Sequence, residues 1–166
     1  DFSYGDYLIE KDFREGFKIQ EEYGLVSSIA VRWEEMDKLA DLAKTFPNIK
    51  IVLDHAGNPD FRTKEYFDNW KKGMAKISKI DNIICKISGL GMGDHHWTKE
   101  SILPYVETCM NLFGISRTIF ATNWPVDGLY SDYSKVINTY IEITKDLSED
   151  EKNAFFFKNA EEMYGI

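Results

Sequence analysis

The sequence predicts an α/β protein with a parallel sheet. Apolar, largely β-branched runs begin near residues 25, 49, 82 and 117, and each is followed by a segment of helical periodicity. Such regular alternation implies parallel strands joined by right-handed crossovers. The clearest run, Ile49-Lys50-Ile51-Val52-Leu53, leads into Asp54-His55 and then Gly57-Asn58-Pro59, which reads as a buried strand ending in a tight loop. Two architectures fit, an open doubly wound sheet or part of a (β/α)8 barrel. A complete barrel takes ~250 residues, more than the 166 present. No GxGxxG or P-loop follows any strand, which weakens the nucleotide-binding form of the open sheet.

In order, residues 12–23 follow a helical pattern with Phe13, Phe17, Ile19 and Tyr23 apolar, Asp12 as the expected N-cap and Gly24 as the stop. A strand over 25–31 ends in Arg32-Trp33. A helix over 34–46 is apolar at Met36, Leu39, Ala40 and Ala43 and stops before Pro47. After the strand at 49–53 comes a helix over 61–80, anchored by Tyr66, Phe67 and Trp70. A third strand over 82–88 gives way to a Gly-rich loop over 89–97. Thr98 or Ser101 caps a helix reaching Phe113, with Pro104 expected in its first turn. A strand over 117–122 ends in Asn123-Trp124-Pro125-Val126-Asp127-Gly128. Helices over 133–145 and 149–164 close the chain, the last opened by a Ser148–Glu151 capping box. No repeat or linker divides residues 1–166, so one domain is expected.

A hydrophobic content of 43% and an aromatic content of 14% are those of a globular chain. The net charge of −8 argues against nucleic acid or an anionic membrane as partner. Cys85 and Cys109 make neither a disulfide framework nor a metal knuckle, which fits two buried thiols in a reducing, cytoplasmic compartment. No apolar run approaches the ~20 residues of a membrane span. The chain begins at Asp1 without a methionine, and it is expected to be a fragment or a processed product.

Side chains two apart on a strand share a face. Ser28, Ala30 and Arg32 form one such set. Ile51, Leu53 and His55 form a second, Ile84, Lys86 and Ser88 a third, and Ile119, Ala121 and Asn123 a fourth. If these are the inward faces, Arg32, His55, Lys86 with Ser88, and Asn123 converge on one mouth, where α/β proteins place their chemistry. Two cations there favour a carboxylate or a developing oxyanion as target. His95 and His96 sit in the Gly-rich loop, a segment suited to a lid. Trp33, Trp97 and Trp124 stand at or beyond strand ends, where aromatics can wall a pocket for a ring-shaped substrate.

Asp54-His55-Ala56-Gly57-Asn58-Pro59, Lys86-Ile87-Ser88-Gly89-Leu90 and Phe120-Ala121-Thr122-Asn123-Trp124-Pro125-Val126-Asp127 resemble three strand-end motifs of the amidohydrolase superfamily. The match is to the branch of TIM-barrel hydrolases that includes L-fuconolactonase and 2-pyrone-4,6-dicarboxylate lactonase. Phe113-Gly114 before Arg117, and Phe157-Lys158-Asn159-Ala160 with Tyr164, are similar to that branch as well.

The resemblance implies the C-terminal half of a (β/α)8 barrel, four parallel strands each followed by a helix, with the N-terminal half absent. It implies a hydrolase that, as part of a complete barrel, opens a lactone-type or other small cyclic, carboxylate-bearing compound. His55 would polarise or orient the substrate, and Arg32, Lys86 and Ser88 would bind it, with Trp124 and His95 nearby. The His-x-His pair of the family's first barrel strand does not occur in this sequence. The last-strand position that usually presents an aspartate is Asn123, which would donate hydrogen bonds where relatives have a base. His55 is then the one strand-end metal candidate, so no tight zinc site is expected in this chain, although a complete barrel could hold a divalent metal such as zinc. Asp127, four residues beyond Asn123, could take over as base, but a solvated turn carboxylate is the expected reading. The alternative is a truncated, non-enzymatic barrel segment that binds a small anion or assembles with a partner. A bare barrel-facing side including Ile51, Leu53, Ile84 and Ile119 would favour a homo-oligomer or completion by an N-terminal half.

Overall fold

The structure is a computed structural model that describes residues 6–166. Its elements are α1 (Lys11–Glu22), β1 (Ser27–Ile29), α2 (Met36–Thr45), β2 (Ile51–Leu53), α3 (Lys64–Ile77), β3 (Ile83–Ile87), α4 (Lys99–Phe113), β4 (Thr118–Phe120) and α5 (Tyr133–Ile143). A last helical segment follows, made of α6 (Glu149–Asn153), a π turn (Ala154–Lys158) and α7 (Asn159–Tyr164). The four strands pair in the order β1-β2-β3-β4, all parallel. Strands alternating with helices in sequential order are the wall of a partial (β/α)8 barrel.

Local chemistry explains most boundaries. Thr63 caps α3 by accepting from Tyr66 N. Thr98 and Ser101 exchange side-chain and backbone hydrogen bonds at the start of α4, and Ser148 with Glu151 does the same at α6. Two expectations need correction. Asp12 lies inside α1, whose N-cap is Glu10 with no side-chain bond. Pro104 is the sixth residue of α4, in its second turn rather than its first. The strands are shorter than the apolar runs that announce them, because the runs begin before the ladder: Ile49 lies in a bend, Asn82 in a turn and Arg117 in a 3-10 turn.

Register fixes the two faces of the sheet. Ile29, Leu53, Cys85 and Thr118 stand in one row, and Ser28, Val52 and Ile84 in the adjacent one. Ile51, Leu53, Ile83, Cys85 and Ile87 belong to the core beneath the helices, with Leu39, Trp70, Met74 and Val106. The inner face carries Val52, Ile84 and Ile119. The assignment of Ile51 and Leu53 to the barrel-facing side is therefore wrong by one residue of phase; both are fully buried under helices. A one-residue shift exchanges the faces.

The inner face is not bare either. Met163 and Ala160 of α7 pack against Val52, Ile119 and Ile84, leaving Val52 at 0% and Ile119 at 2% exposure. Asn159 holds α7 there, its Nδ2 donating to the carbonyls of Ile115 at 2.7 Å and Thr118 at 2.8 Å. Lys50 Nζ reaches Glu162 O at 3.3 Å. The last helix thus plugs the end of the sheet opposite the mouth. Removing the amide leaves two strand-end carbonyls unpaired, at about 1–3 kcal/mol. Asn159→Ala should lower the unfolding free energy in denaturant titration by that amount, and an unchanged midpoint would contradict the latch.

Candidate functional site

His55 reaches the mouth by a route that strand alternation does not describe. β2 ends at Leu53, and His55 (φ 52°) and Ala56 (φ 51°) take left-handed backbone. That conformation costs a non-glycine residue roughly 1–2 kcal/mol and persists only where surroundings enforce it. Ala56 is fully buried, and its carbonyl accepts Trp70 Nε1–H at 2.8 Å. The break swings His55 to the inner side, where it lines a cavity of about 270 Å³ with Ala30, Arg32, Asn58, Asp60 and Met92.

Gly89 is the floor on which the site meets. It follows Ser88, one residue beyond β3, with φ +64°, and a Cβ there would lie 2.7 Å from His55 Nδ1 and 3.2 Å from Asn123 Nδ2. His55 Nδ1 and Ser88 Oγ are 3.0 Å apart, and Ser88 is buried. If the serine donates, Nε2 carries the imidazole proton and faces the substrate as a donor; if it accepts, Nε2 is the acceptor. Burial lowers the His55 pKa below its ordinary value, with Lys86 adding to the effect and Asp54 and Asp127 opposing it.

Each expected cation has a carboxylate partner. Arg32 Nε pairs with Asp60 Oδ2 at 2.5 Å, and Lys86 Nζ pairs with Asp54 Oδ1 at 2.7 Å. Asp54 and Lys86 extend the inner rows of β2 and β3, which is why they meet. The pairs fix both cations in place and weaken their net pull on an anion.

Asn123 stands beyond β4 with φ 55°. Its Nδ2 donates to Asp127 Oδ1 at 2.9 Å. Asp127 is 4% exposed, so its expected role as a solvated turn carboxylate is overturned. The loop folds back through a turn at Val126–Leu129 and carries the carboxyl inward. Burial raises the Asp127 pKa above its ordinary value, while the Asn123 hydrogen bond and His55 hold it down.

The rim residues are placed less centrally. Trp124 is 45% exposed, set edge-on against Tyr133 with centroids 5.2 Å apart. Gly128 lies so close that a Cβ there would meet the indole at 2.9 Å. His95 stacks on Tyr130 at 4.3 Å and, like His96, is exposed. The Gly-rich loop is tied down on both sides of nearby contacts: Ser101 Oγ donates to Asp94 at 2.7 Å, and Lys135 covers the buried Trp97 ring at 4.0 Å. Trp33 packs edge-on against Tyr66, away from the mouth.

Sequence reasoning missed Asp54, Asp60 and Gly89, and it placed Asp127 in solvent. A signal existed only for Asp54 and Gly89, which adjoin residues already singled out.

The amidohydrolase family profile matches residues 2–166, and the chain belongs to that family. The Sinorhizobium fredii protein y4mH is 39% identical over 93% of this chain and 52% of its own length. An L-fucono-1,5-lactonase of Burkholderia ambifaria is 31% identical over 57% of this chain and 34% of its own length. A Burkholderia multivorans amidohydrolase, solved with bound HEPES and with bound zinc, shares the fold at TM-scores of 0.91 and 0.90 and 21% identity. Those matches cover 96% of this chain and 60% and 59% of the solved chains. The chain spans about half the length of the curated relatives it matches.

Zinc in that relative raises the question of a metal here. Among the described residues no three His, Cys, Asp or Glu side chains gather to hold one. Asn123 directs an amide hydrogen into Asp127, and tight zinc sites take three or four protein ligands. The described residues do not by themselves fit a tight zinc site.

The desolvated His55 should titrate below its ordinary pKa of about 6.5. Neutral burial means the unfolded chain binds more protons, so stability should fall as pH drops through this range. Imidazole titration by NMR checks it; a His55 midpoint at or above 6.5 would contradict the buried, neutral ring.

Proposed function

We propose that this chain forms the mouth-bearing part of a barrel hydrolase that opens a small cyclic ester of the lactone type, bearing a carboxylate or similar anionic group. The observation that carries the reading is the convergence of His55, Ser88 and Asn123 on Gly89. Membership of the amidohydrolase family and likeness to a lactonase support it. A neutral imidazole beside a buried hydroxyl can orient or polarise an ester carbonyl. Arg32 and Lys86, anchored by Asp60 and Asp54, offer positioned positive charge to the substrate's anionic end. Trp124, with its exposed ring, and His95 flank the entry. The inner face of the sheet and the outer edges of β1 and β4 are completed by the remaining strands of a barrel, or by a second copy.

A second reading, a barrel segment that binds an anion or assembles without catalysis, is favoured by one observation: Asn123 is an amide and cannot take a proton from water.

Both readings are tested by presenting the chain, in the assembly state found by sedimentation, with γ- and δ-lactones of sugar acids and following acid release. The hydrolase reading predicts turnover, and a loss of roughly 10²–10⁴-fold in His55→Ala. Absence of turnover across the panel, or an unimpaired His55→Ala, contradicts it.

A further inference from the structure

We propose that Asp127 is the proton acceptor for the hydrolytic water, with Asn123 as the residue that positions it; this rests on the hydrolase reading. Three carboxylates surround the mouth. Asp54 and Asp60 are each committed to a cation, so neither offers a carboxylate free to meet a water. Asp127 differs: among the described residues its one side-chain partner is the neutral amide of Asn123. It is withdrawn from bulk water, and the surrounding titratable groups are His55 beyond β2 and Tyr140 on α5. Neither supplies a fixed positive charge. A carboxylate in such a place stays more basic than an ordinary aspartate, for the cause already given.

The loop is built to keep it there. Asp127 N donates to Asn123 O at 3.2 Å, and Tyr130 N and Ser131 N both donate to Asp127 O at 3.0 Å. Backbone bonds therefore fix the residue while its carboxyl turns to Asn123. Because a carboxylate only accepts, the Asn123 amide must present its NH2 to Asp127. The Asn123 carbonyl oxygen is then the end left to receive a hydrogen from water. A water held between that oxygen and Asp127 has one hydrogen fixed and the other aimed at a base.

The step balances without a further reactant. The water oxygen forms a bond to the ester carbonyl carbon as one of its protons passes to Asp127. The ring C–O bond then breaks, and the departing alkoxide takes that proton back from the Asp127 carboxyl. The product is the open hydroxy acid, and Asp127 is again ionised.

The test uses the full chain and a lactone it hydrolyses. Asp127→Asn should reduce kcat by at least about a hundredfold with KM little changed. The acid limb of kcat/KM should lie above the ordinary carboxylate range in the parent chain and vanish in the variant. The exchange variant N123D/D127N, which moves the carboxylate four residues back along the same pair, should recover at least tenfold over D127N. A D127N protein that keeps its kcat overturns the assignment. So does a loss that neither N123D/D127N nor D127E relieves, since that pattern marks a structural role. A parent chain that opens no lactone overturns the hydrolase reading itself, and this assignment with it; retained activity in D127N overturns the assignment alone.

Discussion

The site depends on left-handed backbone at the ends of three successive strands. His55 and Ala56 after β2, Gly89 after β3 and Asn123 after β4 all have φ between 51° and 64°. At His55 the break turns inward a side chain that alternation from Leu53 would send under the helices, whereas Ser88 and Asn123 share the inner phase of Ile84 and Ile119. The cost differs along the row. Glycine adopts this conformation freely and asparagine tolerates it, whereas histidine and alanine do not. The strain therefore concentrates at His55 and Ala56, where burial of Ala56 and the Trp70 hydrogen bond enforce it. Strain at one residue of a site, sustained by a buried tryptophan, is the usual sign of a position whose geometry matters more than its stability.

Below the mouth, the sheet faces a problem common to any partial barrel: an inner face without the opposite wall. The last helix answers part of it. Met163 and Ala160 cover Val52 and Ile119, and each such side chain gains roughly 1.5–3 kcal/mol on burial. Three polar side chains tie the entry ends of the strands together. Asn82 Nδ2 contacts the carbonyls of Ala43, Phe46 and Ile49, Arg117 those of Ser78, Ile80 and Ile83, and Asn159 those of Ile115 and Thr118. Carbonyls at buried strand ends need such partners, and their satisfaction makes one end of the sheet firm. The opposite end is left to loops, with Ser28 exposed on the inner face of β1.

Much of this was legible in the sequence. The β-α alternation, the polar strand ends, the cap at Thr98 or Ser101 and the capping box at Ser148 follow from residue type and spacing. The phase of β2 did not, because Asp54-His55-Ala56 contains no glycine to announce a left-handed turn, and period-2 counting back from His55 placed Ile51 and Leu53 on the wrong face. Asp127 was misread for a related reason. In sequence it is an acidic residue before glycine, the signature of a solvated turn; in space Gly128 lets the Trp124 ring close over the loop and carries Asp127 inward. The cover supplied by Met163 was invisible, since an apolar residue near a chain end says nothing of which face it will meet. Local pattern reports elements, while tertiary packing decides which of two faces an element presents.

The mouth is an acid–base cluster of His55, Asn123 and Asp127, organised about Gly89 and flanked by the Arg32–Asp60 and Lys86–Asp54 ion pairs. Proximity of the His55 ring to the Asn123 side-chain amide is its most direct consequence, since both crowd the same missing Cβ. An NMR measurement of the nuclear Overhauser effect between the His55 imidazole protons and the Asn123 side-chain NH2, in the parent chain and in Gly89→Ala, tests this. The account predicts a clear effect in the parent and its loss in the variant, as the added methyl forces the two apart. No effect in the parent, or one that survives the substitution unchanged, would contradict it.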